Sequence, residues 1–99
     1  MSTPDVSADA LRFVQDALAR YVPDREVRVI GSRARGPAKP FSDLDLVVMG
    51  EDPLDLLTRA RLRDAFDESD LPFVVDIVEW ATSSGAFRQI ITRTGVPLR

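Results

Sequence analysis

Apolar and polar positions along the 99-residue chain fall into three helical patterns and three β-type runs. From Ser7 to about Val22, Leu11, Val14, Leu18 and Tyr21 recur at helical spacing on one face, and Ser7 suits the capping position. Pro23-Asp24 ends this helix. "EVRVI" (26–30) is a short β-type run that stops at Gly31. "SDLDLVVM" (42–49) alternates, then turns wholly apolar, and predicts a second strand. Gly50 to Pro53 predicts a turn, with Asp52 capping and Pro53 opening a helix that reaches about Glu68. On that helix Leu54, Leu57, Leu62, Ala65 and Phe66 share one half of the circumference, with Arg59, Arg61 and Arg63 mostly outside it. "LPFVVDIVEW" (71–80) is the third and most apolar strand. "TSSGAFRQIITRTG" (82–95) predicts a closing helix, capped by Ser83 or Ser84 and ending near Gly95.

The order is α-β-β-α-β-α, with room for a short helical turn after Gly31. It predicts an α/β (α+β) fold, a small sheet with helices packed on it. A chain this short holds one core, so residues 1–99 are expected to form a single domain, with residues 1–7 flexible.

Composition narrows the chemistry. With 44% hydrophobic and 29% charged residues the chain reads as an ordinary globular protein. No apolar run has the length to span a bilayer, and "MSTPDVSADA" lacks the basic start of an export signal, so a cytoplasmic location is expected. There is no Cys, which excludes disulfides and thiolate nucleophiles, and no His, which removes the commonest general base. What remains is carboxylates, hydroxyls, Lys/Arg and backbone amides, an inventory that suits magnesium better than zinc. A net charge of −3 does not indicate direct nucleic-acid binding. Locally, Arg25, Arg28, Arg33, Arg35 and Lys39 cluster just before Asp43, Asp45, Glu51, Asp52 and Asp55. Such an arrangement serves a metal–triphosphate ligand, and serves equally as a mixed solvated surface.

Residues two apart in a strand share a face, so Asp43 and Asp45 project together, opposite Leu44, Leu46 and Val48. Two like charges so placed repel unless a cation lies between them or water solvates the strand end. Asp76 stands in a segment apolar on both faces, where a carboxylate needs a salt bridge, hydrogen bonds or a metal. Gly31-Ser32, directly after a strand, allows a tight turn whose amides and hydroxyl point at phosphate oxygens, with Arg33 and Arg35 nearby.

Gly31-Ser32, ten intervening residues, Asp43-Leu44-Asp45 and the later strand aspartate Asp76 form a pattern that resembles the nucleotidyltransferase superfamily with the DNA-polymerase-β-like fold. "GSRARG", "SDLDL" and "VDIVEW" in so short a chain are similar to the minimal nucleotidyltransferases, over roughly residues 8 to 92. Ile30 stands where members of that family often have an aromatic residue. The resemblance implies that Asp43, Asp45 and Asp76 bind two Mg²⁺ ions, that Asp76 also helps deprotonate the attacking hydroxyl, and that Gly31 and Ser32 hold the β- and γ-phosphates of ATP. It implies AMP transfer with release of pyrophosphate, by two cations about 3.5–4 Å apart. It also implies a partner, a HEPN-domain toxin modified on a tyrosine, for which this chain is the antitoxin. Neutralisation mainly by binding, or nucleotidyl transfer to a small molecule, are the alternatives.

Overall fold

The computed structural model describes residues 4–98. Helix α1 (Ala8–Tyr21) is capped as expected, with the Ser7 hydroxyl accepting from the Ala10 amide at 3.3 Å. Strand β1 (Val27–Ile30) leads into a one-turn helix α2 (Ser32–Arg35), and β2 (Leu44–Val48) returns antiparallel to β1. Helix α3 (Leu56–Asp67) then carries the chain across to β3 (Val75–Glu79), which lies parallel to β2. A 3₁₀ turn (Trp80–Thr82), helix α4 (Gly85–Thr94, capped by Ser84) and a two-residue strand β4 (Val96–Pro97) complete the fold. The sheet order is β3-β2-β1-β4, mixed, with β3 on one edge. The expected sheet with packed helices is what forms.

Both faces of the sheet are covered. Leu44, Leu46 and Val48 of β2 join Val27 and Val29 of β1 beneath Val14 and Leu18 of α1 and Leu62 and Phe66 of α3. On the opposite face Ile30, Val47 and Ile91 of α4 form a smaller core with Met49, Trp80 and Phe87. Double coverage explains why β2 turns wholly apolar after Asp45.

Three expectations need correction. Helix α3 is capped by Asp55 rather than Asp52: its carboxylate accepts from the Thr58 amide at 2.8 Å and the Thr58 hydroxyl at 2.9 Å. Leu54 is buried before the helix begins, its amide held by Glu79 Oε1 at 2.6 Å, so the chain stays non-helical three residues longer. The shift turns Leu57 outward along with Leu56, leaving only Leu62 and Phe66 of the expected stripe fully buried on α3. Strand β3 starts at Val75, not Leu71. Strand β4 has no counterpart in the sequence pattern, because two residues ending in proline carry no alternation.

Residues 1–3 of the N-terminal segment expected to be flexible lie outside the described residues. Of the rest, Asp5 donates its amide to Arg33 O at 2.7 Å and Val6 packs against the main core.

Leu46 is fully buried and Leu56 is 78% exposed. Leu46→Ala is therefore expected to lower unfolding free energy by about 2–5 kcal/mol. Leu56→Ala should change it by less than about 0.5 kcal/mol. Urea denaturation of both variants checks the assigned phase of the two elements.

Candidate active site

The site is built from the ends of three neighbouring segments. After Ile30 the backbone turns at Gly31 with φ +77°, a left-handed conformation in which a side chain is strained. A Cβ at this position would also stand 2.7 Å from Asp45 Oδ2. The turn therefore favours glycine, and any side chain here would also have to displace the Asp45 carboxylate. Ser32, exposed, opens α2, and Gly36 closes it by donating its amide to Ser32 O at 3.1 Å.

Register brings the carboxylates to this turn. Asp45 lies opposite Ile30 in the antiparallel β1–β2 pair and beside Asp76 in the parallel β2–β3 pair. Directly paired residues share a face, so Asp45 and Asp76 project together, on the side of the smaller core. Asp43, exposed, precedes β2 by one residue. Burial raises the Asp45 pKa above its ordinary 3.8, and the charges of Asp76 and Asp43 and a hydrogen bond with the Asp76 carboxyl raise it further.

Asp76 itself is exposed. Edge strand β3 buries only Val75, so the expected carboxylate enclosed on both sides is not what the fold provides. Adjacency to Asp45, rather than the expense of burial, is what marks Asp76.

Arg33 departs from expectation entirely. Its side chain is 6% exposed and its donors meet carbonyls: Nε to Ser42 at 2.8 Å, Nη1 to Asp5 at 2.9 Å, Nη2 to Pro40 at 2.9 Å and Lys39 at 3.4 Å. The guanidinium also stacks 4.3 Å from the centre of the Phe73 ring. A group so engaged is not free to meet a phosphate. A hint was present in "GPAKP": Pro37 and Pro40 lack amide hydrogens, so this loop is short of donors for its own carbonyls. Arg35, by contrast, is exposed and without an ion pair among the described residues.

Asp43, Asp45 and Asp76 have no salt-bridge partner among the described residues. Nor do three acidic side chains among the described residues already close around one point. The donor set is nonetheless suited to a hard divalent cation: all oxygen, clustered, and electrostatically unfavourable without positive charge. The residues therefore fit such ions. Asp43 and Asp76 are exposed, so the site is an open ledge; an apolar cleft of about 320 Å³ lies elsewhere, lined by Ser7, Ala10, Phe13 and Leu71 among others.

The fold and this rim of carboxylates facing a Gly-Ser turn define a nucleotidyltransferase. The nucleotidyltransferase domain family matches residues 11–97, and the chain belongs to it. It is 47% identical over 95 residues to the Haemophilus influenzae protein named "Probable protein adenylyltransferase MntA", covering 96% of this chain and 83% of that one. Among solved structures, a protein described as a "putative minimal nucleotidyltransferase" superposes with a TM-score of 0.68 at 37% identity, covering 90% of this chain and 89% of the other. A toxin–antitoxin structure containing AMP-PNP superposes with a TM-score of 0.73 at 26% identity, covering 90% and 72%.

The raised Asp45 pKa gives a pH test. A carboxyl whose folded pKa lies above 3.8 contributes stability that is complete below that value and lost as pH rises through the folded pKa. Asp55 and Glu79, whose pKa values are lowered, contribute in the opposite sense and are shared by both proteins compared. In chelator, Asp45→Asn should therefore melt above wild type at neutral pH, with the gap closing toward acid. Thermal melts of both proteins across that range check the sign.

Proposed function

We propose that this chain is a protein adenylyltransferase that moves AMP from ATP to a tyrosine hydroxyl of a HEPN-domain toxin, and so acts as its antitoxin. The observation that carries this reading is the Asp45–Asp76 register, which sets two carboxylates side by side at the Gly31 turn, with Asp43 next to them. The relative named as a protein adenylyltransferase and the toxin–antitoxin structure with AMP-PNP support it.

Asp43, Asp45 and Asp76 would hold two Mg²⁺ ions, which supply charge neutralisation for the triphosphate and for the attacking and leaving oxygens. The Ser32 hydroxyl and the amides of the Gly31 turn bind the β- and γ-phosphates, and glycine lets them approach closely. Asp76, exposed on its edge strand, receives the proton of the acceptor hydroxyl as that oxygen attacks the α-phosphorus. The new bond joins the acceptor oxygen to the α-phosphorus. The bond from that phosphorus to the bridging oxygen breaks, and pyrophosphate leaves. Arg35 adds exposed positive charge near the phosphates, whereas Arg33 takes no part in binding them.

An open ledge leaves the acceptor to another chain, so the partner completes the pocket. A reaction that consumes ATP fits a cytoplasmic location. Among the described residues no helix is long and apolar enough to cross a membrane.

Incubation with ATP labelled at the α-phosphate, Mg²⁺ and the cognate toxin is expected to label the toxin. Asp76→Asn should slow labelling by roughly a hundredfold or more, and Asp43→Asn with Asp45→Asn should abolish it. Should the double variant still protect cells as well as wild type, neutralisation by binding replaces this reading.

A further inference from the structure

Arg33 is the residue of "GSRARG" that the phosphate-binding reading leaves over, and its surroundings give it a different task. Its guanidinium touches three separate segments at once. The first is the N-terminal stretch, through Asp5 O at 2.9 Å, answered by the Asp5 amide on Arg33 O at 2.7 Å. The second is the loop that delivers Asp43, through the carbonyls of Lys39, Pro40 and Ser42. The third is the lead-in to β3, through the face of Phe73, three residues before Asp76. Asp5 reinforces the contact from outside, its Oδ2 accepting from the Ala38 amide at 2.6 Å.

We propose that Arg33 is a positioning residue: with Asp5 it clasps the 37–43 loop and the start of β3 together, and so sets the spacing of Asp43 from Asp45 and Asp76. The inference rests on the proposed metal-dependent site but not on the identity of the acceptor. Asp43 lies outside β2, so the ladder that fixes Asp45 does not fix it. Ser42 is the residue immediately before it, and the Arg33 Nε bond to the Ser42 carbonyl at 2.8 Å holds the peptide that carries Asp43. A planar fork with five donors serves several carbonyls at once; an ammonium on a flexible stem does not. Stacking on Phe73 further fixes the plane of that fork.

The test uses Arg33→Lys, which keeps the charge, and Asp5→Ala, which removes the carboxylate on Ala38 and leaves Arg33 in place. Amide hydrogen exchange in the metal-free chain is read at Ala38, Ser42 and Leu44, whose amides are bonded to Asp5 Oδ2, Lys39 O and Val74 O. Both variants should exchange faster at Ala38 and Ser42 than wild type, while Val29 and Leu46 in the central strands stay protected. Mn²⁺ affinity, measured in the presence of a non-hydrolysable ATP analogue, should fall by about tenfold for Arg33→Lys. AMP transfer should lose kcat more than it raises KM for ATP. The proposal is overturned if exchange at these amides is unchanged in Arg33→Lys, or if KM for ATP rises while Mn²⁺ affinity is kept, the mark of a phosphate contact. A melting temperature that falls with no local change in exchange overturns it too. Wild type that never transfers AMP, with the exchange pattern as expected, removes the proposed reaction and leaves the clasp standing.

Discussion

The parallel register between β2 and β3 is the constraint on which the rest depends. It sets Asp45 beside Asp76, and neither carboxylate would choose that neighbour. The pairs that follow, Leu46 with Ile77 and Val47 with Val78, are apolar; Leu46 and Ile77 serve the main core and Val47 the smaller one. A slip of one residue would turn all of them to the wrong face. Burial of the apolar ladder thus holds the like charges together, and the raised Asp45 pKa reflects first its own burial and then the charges of Asp76 and Asp43. Destabilisation confined to one polar cluster on a well-packed support is a common mark of a functional site.

Parallel strands need a crossover, and here α3 provides it. Its entry is pinned by Glu79, which accepts from the Leu54 amide at 2.6 Å and from Arg59 Nε at 2.6 Å, while Arg59 Nη2 donates to Leu54 O at 2.9 Å. This half-buried ion pair therefore ties the end of β3 to the start of the helix that delivers it. At the opposite end of the strand, Arg33 does the corresponding work through Phe73. Between those two anchors β3 holds Asp76 in place although it lies on the sheet's edge.

Much of this was legible from the chain. Helix α1, strands β1 and β2 and helix α4, with Ser84 as one of its two candidate caps, follow from periodicity and capping residues. Gly31 and Asp45 both stand out there, and antiparallel pairing of β1 with β2 brings them together. The failures share a cause. Asp55 displaced Asp52 as a cap because Leu54 had to be buried first, a tertiary demand that no local pattern records. Asp76 was expected inside a strand covered on both faces, but strand order decides coverage, and β3 proved to be an edge. Arg33 looked like its exposed neighbour Arg35, and only the folded loop shows that its donors belong to carbonyls. Charge in a sequence does not say whether a partner is a ligand or the protein's own backbone.

The central claim is that three carboxylates, gathered by this fold, form a seat for a divalent cation and a nucleotide triphosphate. Calorimetric titration of ATP with Mg²⁺ tests it most directly, on wild type and on Asp43→Asn with Asp45→Asn, each alone and with the proposed toxin partner. The account predicts that wild type binds only when Mg²⁺ is present, more tightly with the partner, and that the double variant does not bind. Equal binding by the double variant, or binding of ATP unaffected by Mg²⁺ removal, would contradict it.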